Sequence, residues 1–94
     1  MGRMIRRHAI VTGTVQGVGF RWSARETAHR LGVTGFARNR ADGSVELEVE
    51  GDPEQVDRML DWLRQGPPGS QVAEVVVADL PPDGDDAFRI RESQ

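Results

Sequence analysis

From His8 to Val15 apolar and polar positions alternate, with Ala9, Val11 and Val15 on one side and His8, Ile10 and Thr12 on the other, the period-two mark of a strand. The period then changes. In the stretch that follows QGVGFR, Ala24, Ala28 and Leu31 fall at i, i+4 and i+7, and Gly32 stands where a helix would end on a left-handed residue. Strand character returns from Val33 to Asn39, and Asp42-Gly43 marks a turn. Ser44 to Glu50 is the clearest strand: Val45, Leu47 and Val49 face one way, Glu46, Glu48 and Glu50 the other, which predicts one buried and one wet face.

A second helix is predicted after Gly51. Asp52 can cap it, Pro53 suits its first position, and Gln55 sits where it would complete a box-like arrangement. Val56, Met59, Leu60 and Leu63 form its apolar stripe, and Gly66-Pro67-Pro68 stops it. Val72 to Ala78 reads as a nearly continuous apolar strand. Pro81 to Asp86 is an acidic loop, and Ala87 to Arg91 can add a short strand with Phe88 and Ile90 inward. Met1 to about Arg6 reads as a frayed arm.

The order β-α-β-β-α-β predicts an α+β fold of the split-βαβ, ferredoxin-like kind. It is a single domain over residues 1–94, an antiparallel sheet of four to five strands with two helices on one face. A right-handed crossover makes the first two strands parallel, so the residues just past both of them share one edge of the sheet.

Composition narrows the chemistry. Lys and Arg total 12 against 15 Asp and Glu, a net charge of −3; all of the basic residues are Arg, and Cys is absent. Schiff-base and P-loop lysines, cysteine nucleophiles, Cys-ligated zinc and disulfides are excluded. Net acidity argues against binding nucleic acid through overall charge. A chain of this size buries only about 60–65% of its unfolded surface, so the core needs most of the 37% hydrophobic residues and leaves little for a large cofactor cavity. The apolar run near the start is short and broken by Thr12 and Gly13, which fits neither a signal peptide nor a spanning helix. A cytoplasmic monomer with no membrane or nucleic-acid partner is expected.

At the shared edge lie two unusual segments, Gln16-Gly17-Val18-Gly19-Phe20-Arg21 and Asn39. A glycine turn feeding a helix start presents free N–H groups at the positive end of the helix dipole. Gly17 and Gly19 permit the positive φ that aims amides into one concavity. Arg21 is anomalous, because a cation at a helix start costs about 0.3–1 kcal/mol. An anionic ligand would account for it, and a guanidinium grips phosphate bidentately. An arginine turned to solvent beside an ordinary glycine turn is the other reading of this spacing. Codon bias suffices for most of the remaining arginines, including Arg25, Arg30, Arg58 and Arg64 on the helices; Arg38 and Arg40 flank Asn39 and would add positive field there.

The segment Val11-Thr-Gly-Thr-Val-Gln-Gly-Val-Gly-Phe-Arg21 resembles the first signature of the acylphosphatase family, and Gly35-Phe-Ala-Arg-Asn-Arg-Ala-Asp-Gly-Ser-Val45, with Gly51 after it, resembles the second. The similarity in size and layout extends over nearly the whole chain. It implies hydrolysis of the carboxyl-phosphate bond of acyl phosphates. Arg21 would bind the phosphoryl group with the loop amides of Gln16, Gly17, Val18, Gly19 and Phe20, and Asn39 would orient the attacking water. Inorganic phosphate or a similar anion would rest in the same loop. The chemistry agrees: a carboxylate with a pKa of about 4–5 leaves without a proton, so no general acid is needed. No metal or cofactor is implied.

Other groups carry less. His8 and His29 show no ligand pattern and read as structural or surface residues. Glu46, Glu48 and Glu50 read as a wet strand face, and Asp83, Asp85 and Asp86 as a solvated loop without the calcium-loop spacing. Trp22 and Trp62 are expected to pack on their helices. Two rival functions remain at this level. One is a non-catalytic module that binds acyl or carbamoyl phosphate. The other is an RNA-binding sheet, which would need exposed aromatics where the central strand has glutamates.

Overall fold

The computed structural model describes residues 3–93 as five strands and two helices. They run β1 (Ile5–Thr14), α1 (Phe20–Leu31), β2 (Thr34–Asn39), β3 (Val45–Gly51), α2 (Pro53–Gln65), β4 (Gln71–Leu80) and β5 (Phe88–Ile90). Helix α1 ends on Gly32 at φ 74°, whose N–H reaches the carbonyls of Ala28 and His29. Helix α2 starts from Asp52 in an extended conformation with Pro53 at its first position. The box expected of Asp52 and Gln55 is absent: Asp52 makes no side-chain cap. That end of the helix is exposed, so water can serve its amides.

The sheet order is β4-β1-β3-β2-β5. β1 pairs with β3 and β4, and β2 with β3, all antiparallel. β5 pairs parallel to β2, so the sheet is mixed and not antiparallel throughout. The route of the chain is the reason. After β4 it crosses the sheet end where Arg6, Glu50 and Thr34 lie, reaches β2 at its start, and can only continue alongside it. The inner face of the sheet contributes Ala9, Val11, Ala37, Val45, Leu47, Val49 and Phe88 to the core, and the helices cover them with Ala24, Ala28, Val56, Met59, Leu60 and Leu63.

The arm expected over residues 1–6 is shorter than that. Met1 and Gly2 lie outside the described residues, but Ile5 and Arg6 belong to β1 and are buried. Arg6, only 3% exposed, meets Glu48 at 2.8 Å, Glu50 at 2.9 Å and Asp85 at 3.0 Å. Glu50 also accepts from the N–H groups of Asp83 and Gly84, fastening the β4–β5 loop to the sheet. The glutamate face is therefore half covered by ion pairs instead of simply wet. Glu46 joins it, accepting from Arg38 at 2.6 Å and lying 2.7 Å from His8 Nε2. Phe36 is buried on the same side under the guanidinium groups of Arg91 and Arg38, 4.1 and 5.5 Å from its ring centre.

Candidate active site

Strands β1 and β2 are each antiparallel to β3 and so run in one direction, which brings Thr14 and Asn39 to the same end of the sheet. Between β1 and α1 the chain is pinned on both sides. Val15 and Phe20 are buried at 1% and 2% exposure, and the Phe20 ring lies against Trp62 at 5.5 Å between centres. The loop between these anchors turns through Gly17 at φ 76° and Gly19 at φ 74°. A Cβ added to either would meet nothing within 4 Å, so the concave side stays open. Helix α1 closes its first hydrogen bond only at Ser23, whose N–H donates to Gly19 O at 3.0 Å. The N–H groups ahead of it are therefore unused by the helix, at its positive end.

Arg21 stands in that first turn, which carries no acidic residue. Its Nη1 donates to the main-chain carbonyl of Arg91 at 3.3 Å, and no carboxylate among the described residues pairs with it. Asn39 ends β2. Ala37, two residues before it, faces the core, and the same alternation turns Asn39 to the helix side while Arg38 turns to the open face. The two residues line a single cleft of about 190 Å³ with Gly17, Gly19 and the apolar side chains of Val15, Phe20, Trp22 and Ile90. Opposite the loop, the β2–β3 turn is closed by Arg40 N–H on Ser44 O and by Ser44 on Asp42. Gln16 ties loop to turn, donating from Nε2 to the carbonyls of Arg40 and Ser44, both at 2.8 Å.

The Acylphosphatase family model matches residues 7–90, which takes in the loop, Arg21 and Asn39. The chain belongs to the acylphosphatase family. An acylphosphatase of Thermococcus kodakarensis is 46% identical over 88 residues, 94% of this chain and 97% of the relative. Another, of Gloeobacter violaceus, is 46% identical over 99% of this chain and all of its own length. The solved structure of an acylphosphatase from Coxiella burnetii superposes with a TM-score of 0.91 at 35% identity, covering 94% of this chain and 93% of that one. Relatives that bear the name and match end to end make acylphosphatase function a property of this chain, and the ferredoxin-like α+β fold is the family's.

Within this acylphosphatase fold, Gly17, Gly19, Phe20, Arg21 and Asn39 meet at the cleft, whereas the side chains of Gln16 and Val18 do not line it. Gln16 spends its amide on the turn, and Val18 leans on the core. Arg38, expected to add field beside Asn39, is on the far face and neutralised by Glu46. Trp22, expected to pack, is instead 56% exposed at the cleft, while Trp62 does pack. Asp85, expected in a solvated loop, pairs with Arg6. The far side of the apolar wall was not legible in the sequence because Ile90 arrives on a strand about seventy positions beyond the loop. Among the described residues no three His, Asp or Glu side chains gather as a metal site, and no helix is long and apolar enough to cross a membrane.

Proposed function

We propose that the cleft hydrolyses acyl phosphates by direct transfer of the phosphoryl group to water. The loop amides from Gln16 to Phe20 and the Arg21 guanidinium take the non-bridging phosphoryl oxygens, whose charge they match. Asn39 accepts from and donates to the water on the far side, holding it in line with the bond that breaks. The water oxygen bonds to phosphorus, and the P–O bond to the carboxylate breaks with its electron pair on the leaving oxygen. The products are a carboxylate and dihydrogen phosphate, which then releases a proton to solvent.

Such a transition state is loose and asks for positioning and charge stabilisation more than for a strong base. An amide suffices for the water, and a carboxylate leaving group needs no acid. Arg21 and the amides provide the positive charge that a metal ion provides elsewhere, so the proposal includes metal-independent turnover. It also includes a cytoplasmic monomer acting on small-molecule acyl phosphates, with inorganic phosphate resting in the loop as product. A chain without cysteine is at no disadvantage in a reducing compartment.

The observation that carries the reading is the convergence of Arg21, Asn39 and the glycine loop on one cleft from two parallel strand ends. Phosphate release from acetyl phosphate, measured with excess chelator, tests it. Steady release is expected, with none from an alkyl phosphate monoester. Loss of release on chelation would overturn the metal-independent mechanism.

A further inference from the structure

We propose that Trp22 is a shelf for the acyl group and makes the site favour acyl phosphates with flat, apolar acyl parts; this rests on the hydrolase reading above. Arg21, Asn39 and the loop amides account for the polar part of the cleft. What remains of its wall is apolar: Val15, Phe20, Trp22 and Ile90. Val15 and Phe20 are tied into the core, and their burial needs no ligand. Trp22 is different. It follows Arg21 directly in the first turn of α1, lines the same cleft, and leaves more than half of its indole open.

A single exposed apolar side chain is ordinary on a protein surface. This one is also held. The guanidinium carbon of Arg25, one turn further along α1, sits 4.4 Å from the indole centre. Arg25 makes no ion pair among the described residues, and its Nε is buried without a hydrogen-bond partner, so the indole is what it engages. A stacked cation restrains the ring beforehand and lowers the ordering cost of receiving a ligand.

Size places the acyl group. The cleft of about 190 Å³ is of the same order as a cavity of about 150 Å³ that takes one benzene ring. A phosphoryl group with the attacking water is of comparable bulk and occupies most of it. Anything larger on the acyl side must leave past Trp22 and Ile90. A flat ring there can stack on the indole, and aromatic pairs of this kind contribute a factor of about 3 to 10 in affinity. A methyl group is too small to cover the same surface.

The test measures kcat/KM for benzoyl phosphate and acetyl phosphate in the wild type, Trp22→Ala and Trp22→Phe. Calorimetric binding of phenylphosphonate and methylphosphonate supplies a readout that needs no turnover. In Trp22→Ala the benzoyl-to-acetyl ratio is expected to fall about tenfold, mainly through KM, with a parallel fall in the phenyl-over-methyl preference. Trp22→Phe is expected to restore most of both. A ratio and a preference unchanged in Trp22→Ala would overturn the shelf and leave the hydrolase reading standing. Phenyl-selective binding that depends on Trp22, with no hydrolysis of either acyl phosphate, would uphold the shelf and overturn the hydrolase reading.

Discussion

Gln16, in the glycine loop, donates from its side-chain amide to the carbonyl of Arg40, the residue just past Asn39, at 2.8 Å. A second bond of the same length goes to Ser44 O. One side chain thus sets the spacing between the glycine loop and the strand end that carries Asn39, the two halves of the proposed site. Gln16→Ala would remove the second donor from two carbonyls that keep a backbone one, Ser44 O from Arg40 and Arg40 O from Gly43, and is expected to cost about 1 kcal/mol in denaturant unfolding. Because misplacement of about 1 Å can cost about 10²-fold in rate, kcat should fall more than phosphate affinity does. Unchanged stability and unchanged kcat would show that the tie is incidental.

Arg21 pulls in two directions. It grips the phosphoryl group in the proposed mechanism, yet it stands at the positive end of α1 without a carboxylate partner. Arg21→Gln is expected to lower kcat/KM by about 10²- to 10³-fold, the range for losing one charge-stabilising donor. The same variant should be more stable without ligand, by about 0.3–1 kcal/mol, because the unfavourable dipole contact is gone. Phosphate should reverse the order, stabilising the wild type by about 1.4 kcal/mol at ten times its Kd and the variant hardly at all. Paired thermal melts with and without phosphate check both signs.

Asn39 predicts a different split. Its amide closes no hydrogen bond to the protein among the described residues and faces the cleft, so it is free to hold a water. Asn39→Ala is expected to reduce kcat by about 10²-fold or more through loss of water positioning, while the Kd for phosphate, measured by calorimetry, stays near the wild-type value. Loss of phosphate binding in step with kcat would move Asn39 into the anion site.

Local pattern made most of the fold legible. Alternation at Val45–Glu50 and the stripe Val56, Met59, Leu60 and Leu63 each report a single element with one buried face, and both faces are where the pattern puts them. Parallel β1 and β2 then follow from the crossover, and with them the meeting of the glycine loop and Asn39. What escaped depends on partners far along the chain. The parallel pairing of β5 comes from a loop routed across the sheet end by Glu50 and Arg6, contacts over sequence separations above thirty. Arg6 looked like part of a loose arm because its three carboxylates are assembled only by the sheet. Trp22 looked like packing because helical spacing tells which side chains share a face and cannot tell where the core ends.

The ion pairs on the open face of the sheet, Glu50 with Arg6 and Glu46 with Arg38, link stability to pH on the acid side. Burial alone would raise the Glu50 carboxyl, but the N–H groups of Asp83 and Gly84 and the Arg6 guanidinium outweigh it, and the group titrates below its ordinary value. Glu46 does the same: burial opposes ionisation, and His8 and Arg38 more than offset it. Both carboxyls therefore bind protons less readily folded than unfolded. Their stabilisation is complete above the ordinary glutamate value of 4.5 and is lost as the pH falls from there through the lower folded values. Glu50→Gln is expected to cost about 3 kcal/mol at pH 7, since it leaves a buried guanidinium with weaker compensation and loosens the β4–β5 loop. The same variant should show a shallower loss of stability between pH 5 and 3 than the wild type, because one of the titrating groups is gone. Urea unfolding at a series of pH values measures both, and an acid limb equally steep in the variant would assign the pH dependence to other carboxylates.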